Sequence, residues 1–268
     1  MSAAKILPAA KVLVTGGAGY VGSHACKALA ARGYEPITYD NLSRGHAWAV
    51  QWGPLEQGDI TDTARIRDVL ESHRPAAVMH FAAYAYVGES IADPLSYYRN
   101  NFGGTLSLLE AVSSCAAMPI VFSSSCATYG AAASLPMTEE QPQAPMSPYG
   151  RSKWMSERAL NDADRAHGLR SVMLRYFNAA GADPDAEIGE AHEPETHLIP
   201  LALAAARDGT VFRIFGDDHG TPDGTCVRDF VHVSDLAEAH LQALDYLLAG
   251  GPTTAFNLAN SRGYSVKE

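Results

Sequence analysis

The serine run Ser123-Ser124-Ser125 before Cys126, and the later stretch Tyr149-Gly150-Arg151-Ser152-Lys153, carry the residue types of a proton-handling site. Ser147 before Pro148 reads as a helix start, with the serine as N-cap and the proline at the first helical position. Tyr149 and Lys153 then lie at i and i+4, on one face of that helix. An ammonium beside a phenol favours tyrosinate by Coulomb attraction, and a serine hydroxyl can relay a proton to or from a substrate. Chance produces the same spacing on many exposed helices, so the surrounding elements must decide its meaning.

Those elements begin with Lys11 to Thr15, a short apolar run of strand type that meets Gly16-Gly17-Ala18-Gly19-Tyr20-Val21-Gly22. Ser23 to Arg32 has helical composition and stops at Gly33, and Glu35 to Tyr39 is a second strand ending in Asp40. Strand, glycine turn, helix, strand and acid in this order make a dinucleotide-binding unit. Gly16 and Gly19 permit the tight turn and let backbone N–H groups approach a pyrophosphate. Gly22 lets the helix lie close to the sheet, with its N-terminus toward the anion. Asp40 can accept hydrogen bonds from ribose hydroxyls, and its charge would repel a 2′-phosphate, which favours NAD over NADP. The G-x-x-G-x-x-G spacing is that of short-chain dehydrogenases.

The alternation of strands and helices continues. Leu55 to Gly58 precedes Asp59, Thr63 to His73 is helical, and Ala77 to Phe81 is a continuous apolar strand of the kind buried in parallel sheets. Asp93-Pro94 opens a long helix carrying Asn100 and Asn101, and Ile120 to Phe122 is the next strand. Ser123 to Ser125 therefore fall at a strand's carboxyl end, where open α/β sheets bind ligands. Beyond the Tyr149 helix, which should run to His167, the order is a strand (Val172 to Phe177) and a turn at Ala179-Ala180-Gly181. An acidic solvated loop (Asp183 to Thr196), a helix (Leu198 to Arg207) and a strand (Val211 to Phe215) follow. A strand-like segment (Cys226 to Val233), a helix from Ser234-Asp235 and a last strand (Ala255 to Leu258) complete the order. The expected fold is α/β, a Rossmann-type doubly wound parallel sheet with a smaller C-terminal lobe. Residues 1–10 are expected as a tail, 11–181 as the main nucleotide-binding domain, and 182–268 as a lobe interleaved with late sheet elements.

Composition narrows the function. At 268 residues and 47% hydrophobic content a large core is available, and no apolar run approaches the length of a membrane span. A net charge of -10 argues against broad phosphate-backbone contact, so nucleic acid is not an expected partner. Cys26, Cys115, Cys126 and Cys226 form no C-x-x-C pair, and Met1 to Ala10 is too short and weakly apolar for a signal peptide. Reduced thiols and a cytoplasmic location are the expectation. His192 and His197 tempt a metal reading, but they are five residues apart rather than the four of H-E-x-x-H, and Pro194 interrupts any helix between them. No metal is expected. Ser265-Val266-Lys267-Glu268 has the form of a capping box, so a helix is expected to begin where the sequence stops.

Assembled, the chain closely resembles the UDP-glucose (UDP-galactose) 4-epimerases of the extended short-chain dehydrogenase family from Lys11 to Glu268. The resemblance rests on T-G-G-A-G-Y-V-G-S-H, Y-D-N-L, G-D-I, H-F-A-A, V-G-E-S, Y-Y-R-N-N, F-S-S-S, S-P-Y-G-R-S-K, R-Y-F-N-A-A-G and D-G-T-C-V-R-D-F-V-H-V. It implies NAD contacts at Tyr20, Val21, Asp40, Asn41, Asp59, Ile60, Phe81, Ala82, Ala83, Asn101, Ser123, Tyr149, Lys153 and Phe177, beside the loop glycines. It implies Ser125, Tyr149 and Lys153 as the catalytic group. It also implies UDP-sugar contacts at Ser125, Tyr149, Asn178, His197, Leu198, Arg213, Ile214, Phe215 and Arg228, where a guanidinium can grip diphosphate oxygens. UDP-glucose and UDP-galactose are the implied substrates, and a homodimer through the helices around Asn101 and Tyr149 is the implied assembly. Two departures stand out. Ala85 occupies a position where many members carry a lysine near the cofactor, and the family continues past the last residue here, so the substrate lobe is expected to be incomplete.

Other readings compete. Sugar-nucleotide 4,6-dehydratases place an acidic pair after the serine or threonine to drive elimination, and Cys126-Ala127 cannot serve as that pair. Epimerases of UDP-N-acetylhexosamines or UDP-pentoses share the motifs. A module that holds NAD and UDP-sugar without turnover is the alternative from another class.

Overall fold

Neighbouring residues of each central strand belong to opposite cores, and this places helices on both faces of the sheet. In β1 (Lys11–Thr15), Val12 and Val14 pack into one apolar cluster and Leu13 into the other. The same split divides Ala77 and Met79 from Val78 in β4 (Ala77–His80), and Val121 from Ile120 and Phe122 in β5 (Ile120–Ser125). The first core is closed by α1 (Tyr20–Ala31) through Ala25, Cys26 and Leu29 and by α8 (Val233–Leu248) through Leu241, Leu244 and Leu247. The second is closed by α2 (Thr63–His73), α5 (Gly104–Ser114) and Leu160 of α6 (Pro148–His167). The computed structural model describes residues 9–115, 117–131 and 134–268, so most of the expected N-terminal tail lies outside the described residues.

Seven strands, all parallel, make the main sheet in the order β3-β2-β1-β4-β5-β6-β9, with β2 at Glu35–Asp40, β3 at Leu55–Gln57, β6 at Ser171–Tyr176 and β9 at Thr254–Leu258. The order reverses between β1 and β4, which opens a crevice at their carboxyl ends. The expected doubly wound α/β fold is the one observed. A second sheet of three short strands, β10-β8-β7, joins Asn178–Ala180 in parallel to Val227–His232, which pairs antiparallel with Gly263–Ser265.

Local chemistry sets the helix that carries the tyrosine and lysine. Ser147 Oγ accepts from Gly150 N at 3.1 Å, Pro148 occupies the first turn, and Gly168 ends the helix at φ 69°. The helix after Asp93 is less regular than expected. It starts as α4 (Pro94–Tyr97), widens into a π-helical turn over Tyr98–Gly103 that holds Asn101, and resumes as α5. Such widening is common near functional sites. Two further expectations need correction. Ala179 and Ala180, expected in a turn with Gly181, belong instead to a strand, Asn178–Ala180, because β8 supplies a partner that only tertiary structure brings. Residues 211–215 form no strand, since no strand among the described residues lies beside them to complete their backbone hydrogen bonds. The Ser265–Glu268 capping box does form: Glu268 Oε2 accepts from Ser265 N at 2.7 Å, and Ser265 Oγ accepts from Glu268 N at 3.2 Å.

Helix α6 is pinned to the sheet by a buried ion pair. Arg175 of β6 donates from Nη2 to Glu157 Oε2 at 2.7 Å and from Nε to Oε1 at 2.9 Å. Ser124 Oγ and Gln143 Nε2 also donate to this carboxylate, while Arg175 Nη1 reaches the Tyr129 hydroxyl at 2.8 Å. Removing the cation leaves a buried carboxylate short of charge compensation. Arg175→Met should therefore lower unfolding stability by about 3–5 kcal/mol in urea titration. A loss below roughly 1 kcal/mol, the range of surface pairs, would show that the pair does not hold the helix.

Candidate active site

A cavity of about 700 Å³ lies at the crevice between the carboxyl ends of β1 and β4. Its floor is the glycine loop. Gly16 has φ +74°, and a Cβ there would fall 2.5 Å from Ala82 N, while a Cβ on Gly22 would fall 2.2 Å from Gly16 O. No side chain fits at either position, so backbone alone faces the cavity. Helix α1 starts at Tyr20 with Gly19 as N-cap and without a side-chain cap. The first-turn N–H groups of Tyr20, Val21 and Gly22 therefore have no intrahelical acceptor and are free to meet an anion. Asp40, 8% exposed, is oriented by Ala18 N at 3.1 Å and Leu42 N at 2.8 Å, and burial raises its pKa against the pull of those two donors. A backbone cradle, a helix N-terminus and an oriented acid fit a dinucleotide with free ribose hydroxyls.

The serine, tyrosine and lysine meet on the opposite wall. Ser123 and Ser125 are the last residues of β5, a strand three residues longer than expected, and the cavity is lined by both, by Tyr149 and by Lys153. Lys153 is 3% exposed, donates from Nζ to Ser123 O at 2.7 Å, and lies 4.9 Å over the Phe122 ring. Burial pushes its pKa down to about 7, opposed by the nearby Glu157 carboxylate. Tyr149 behaves differently from expectation. Burial, helped by Tyr176, raises its pKa above the ordinary phenol value, and a hydrogen bond with Ser125 draws it back. The Lys153 ammonium is hydrogen-bonded to the Ser123 carbonyl rather than to the Tyr149 hydroxyl. Ser125 Oγ also accepts from Ala127 N at 3.1 Å, which fixes its rotamer.

Most of the residues predicted from sequence converge on this cavity: Gly16, Gly19, Tyr20, Val21, Gly22, Asp40, Asn41, Ile60, Phe81, Ala82, Ala83, Ser123, Ser125, Tyr149, Lys153, Phe177, Asn178 and His197. Several do not line it. Asp59 sits behind the wall, accepting from Asn41 Nδ2 at 2.9 Å. Asn101 is buried and braces the Tyr84 backbone, accepting from its N–H at 2.8 Å and donating to its carbonyl at 2.9 Å, while its neighbour Asn100 reaches the cavity. Leu198 opens α7 (Leu198–Asp208) outside the lining. Arg213 and Phe215 border a separate, smaller pocket with Leu201, and Ile214 is exposed. Arg228 is exposed and outside the lining, though its charge reaches Cys126.

Sequence reasoning missed Arg44, Trp48, Tyr84, Tyr86, Glu190 and His192, all on the cavity wall. Arg44 and Trp48 follow Asp40 by a few residues, a proximity that could have marked them. The others gave no periodic signal. The loop from Asp183 is solvated only in part, with residues 184–187, 193, 194 and 196 exposed and Asp183 and Ile188 buried. Lys27 Nζ reaches Asp183, Asp185 and Glu187 within 2.8 Å and anchors the loop to α1. Glu190, His192, Glu195 and His197 then turn inward together, the two imidazole centroids 4.8 Å apart. His197 Nδ1 lies 2.9 Å from Glu190 and 2.8 Å from Glu195, and those carboxylates hold its pKa above the ordinary histidine value.

Comparison with known proteins agrees with this geometry. The sequence profile of the NAD dependent epimerase/dehydratase family matches residues 12–259. A UDP-glucose 4-epimerase of Rhizobium meliloti is 57% identical over 260 residues, which cover 96% of this chain and 79% of that protein. The crystal structure of UDP-glucose 4-epimerase from Brucella ovis in complex with NAD superposes with a TM-score of 0.95 at 54% identity, covering 97% of this chain and 80% of that one. The UDP-Glc/GlcNAc 4-epimerase of Campylobacter jejuni gives 0.83 at 40% identity, covering 97% and 81%. The chain thus spans about four fifths of the length of these relatives. Among the described residues no helix is long and apolar enough to cross a membrane. With its profile matched from β1 to β9 over a shared fold, the chain belongs to the NAD dependent epimerase/dehydratase family.

Proposed function

We propose that the protein interconverts UDP-glucose and UDP-galactose, using NAD held in the glycine-loop cavity. The observation that carries the proposal is the meeting of Ser125, Tyr149 and Lys153 with the glycine loop and Asp40 in one cavity. Relatives named as UDP-glucose 4-epimerases at 57% and 56% identity supply the substrate class. The chemistry NAD supplies when bound is acceptance of a hydride from the sugar C4 and its return to the opposite face, by way of a 4-keto sugar.

The protein's own residues handle the proton and the positions. Tyr149 Oη takes the proton of the 4-hydroxyl as phenolate and gives it back to the keto oxygen as phenol, directly or through Ser125 Oγ. The Ser125 hydrogen bond stabilises the phenolate and so opposes the burial that raises its pKa. Lys153 holds the end of β5 through the Ser123 carbonyl, which keeps Ser125 beside Tyr149. The backbone of Gly16 to Gly22 holds the pyrophosphate, and Asp40 with Asn41 orients the adenosine ribose. Asp59, Asn101 and Ile60 are assigned to shaping that half of the site, and Asn178 and His197 to the UDP-sugar. Residues 11–181 form the cofactor side and 182–268 the substrate side, with α8 and β9 returning to the sheet. A homodimer through the helices around Asn101 and Tyr149 and a cytoplasmic location complete the reading. Ile91, Leu95 and Leu106 expose apolar side chains on that flank.

Epimerisation of UDP-galactose by the purified chain, measured beside the NAD released on denaturation, tests the function. Product with stoichiometric NAD is expected, whereas retained NAD without product would favour a binding module. Tyr149→Phe should cut turnover by a factor on the order of 10² or more while NAD is retained, and unchanged turnover would remove the tyrosine from the mechanism. Gly22→Val should weaken NAD retention by roughly tenfold or more, because its side chain must displace the Gly16 carbonyl. Lys153 gives a pH dependence. Its folded pKa of about 7 lies below the unfolded value, so the unfolded chain binds more protons between those two pKa values and stability rises with pH there. Lys153→Met should therefore stabilise the fold more at pH ~6 than at pH ~10 in chemical denaturation; an equal effect at both would place the ammonium in a solvated site.

A further inference from the structure

The Glu190–His197 loop gathers four metal-ligating side chains that no step above uses as a group. One ring nitrogen each from His192 and His197 and one carboxylate oxygen each from Glu190 and Glu195 all lie within 4.8 Å of one another. The closest pairs are 2.8 Å (His197 to Glu195), 2.9 Å (His197 to Glu190), 3.1 Å (His192 to Glu190) and 3.7 Å (His192 to Glu195).

A single proton explains part of this cluster. Carried on His197 Nδ1, it lies within reach of both carboxylates. It does nothing for His192, whose Nδ1 is fully buried and has no hydrogen-bond partner among the described residues. Its 3.1 Å approach to Glu190 is off the line that a hydrogen bond needs. Buried imidazole nitrogens normally find a partner; His24 Nε2 and His240 Nε2 also lack one here, but His192 Nδ1 is the one that lies beside two carboxylates. Charge gives the same answer. Among the described residues only the two histidines come within ion-pair distance of Glu190 and Glu195. The adjacent acids Asp183, Asp185 and Glu187 share Lys27 instead. A divalent cation would balance two carboxylates and give His192 Nδ1 a bond.

We infer that Glu190, His192, Glu195 and His197 form a binding site for a borderline divalent cation of the zinc class. Two imidazoles and two carboxylates are a four-coordinate zinc donor set. Donors about 2.1 Å from a tetrahedral ion are about 3.4 Å apart, and the separations here, from 2.8 Å to no more than 4.8 Å, bracket that value. The rings of Tyr20 and Tyr86 flank the cluster, with centroids 6.3 Å and 5.7 Å from that of His192, and limit its contact with water. The site is not the H-E-x-x-H helix ruled out from sequence, because the loop rather than a helix brings the ligands together. His197 directly precedes α7, so an ion here fixes the start of that helix and the cavity wall, and it leaves the His197 Nε2 available to a ligand.

The test uses the full chain, stripped with chelator and titrated with Zn²⁺ by calorimetry, with Co²⁺ as a spectroscopic probe. One equivalent of Zn²⁺ should bind and raise the thermal midpoint, Mg²⁺ should not compete, and His192→Ala and Glu190→Gln should each weaken binding at least about tenfold. Co²⁺ should give the strong visible bands of a four-coordinate ion without a thiolate charge-transfer band, which separates this site from the free cysteines. Absence of Zn²⁺ binding, or binding unchanged in both variants, overturns the site. Where a variant does not fold, the Co²⁺ spectrum of the native chain decides: weak six-coordinate bands or a thiolate band overturn it equally.

Discussion

The Glu157 carboxylate is the point at which the proposed chemistry is tied to the fold. It lies one helical turn beyond Lys153 and two beyond Tyr149, on the same face of α6. Arg175 holds it from β6, Ser124 from the end of β5, and Gln143 from the loop leading into the helix. Three elements distant in sequence thus share one carboxylate, and the register of α6 against β5 follows from that sharing. Were α6 free to slide by a residue, Tyr149 would leave Ser125 and Lys153 would lose the Ser123 carbonyl. Glu157 also works electrostatically, because its charge is what opposes the burial that lowers the Lys153 pKa. An ion pair of this kind adds little net stability over an apolar replacement; what it contributes here is a single alignment.

The sheet supplies the second constraint. Strands apolar on both faces must be covered on both, and the helices that cover them leave the carboxyl ends of β1 and β4 open. Backbone geometry at Gly16 and Gly22 lets α1 begin within that opening, so that its free N–H groups line the cavity. Catalytic and binding halves of the site therefore come from the same cause. One is the end of β5 with α6 beside it; the other is the end of β1 with α1 beside it.

These two halves were legible in the sequence because each rests on local rules. Ser147-Pro148 and Gly168 bound α6 as caps do, and the glycine spacing with Asp40 marks the nucleotide loop. What could not be read depends on tertiary partners. Asn178–Ala180 is a strand only because β8 lies beside it, and residues 211–215 are not one because no strand among the described residues pairs with them. Asn101 and Asn100 exchange places at the cavity because a π turn, invisible to a 3.6-residue period, rotates them. The loop from Asp183 to His197 is polar in composition and reads as solvated. Lys27, over 150 residues earlier, draws it inward, and no spacing rule reports a contact at that separation.

The position of Ala85 shows how the site's charges are arranged. A lysine there would bring a free cation to the cofactor side, and the sequence alone offers none in its place. In the fold, the Arg44 guanidinium lies 4.5 Å over the Tyr84 ring and 5.1 Å over that of Tyr86, on either side of Ala85 in the chain. Its charge is already engaged, since Nη2 donates to Glu89 Oε1 at 2.5 Å, and the Tyr97 hydroxyl donates to the other oxygen of that carboxylate. An engaged pair presents a dipole to the cavity rather than a net positive charge, and its field falls off faster than that of a lone ammonium. Lys153, which lines the cavity, turns its ammonium to the Ser123 carbonyl. The N–H donors of the glycine turn and the positive end of α1 also attract an anionic dinucleotide. Those groups act at contact distance, which is why the absence of side chains at Gly16 and Gly22 matters.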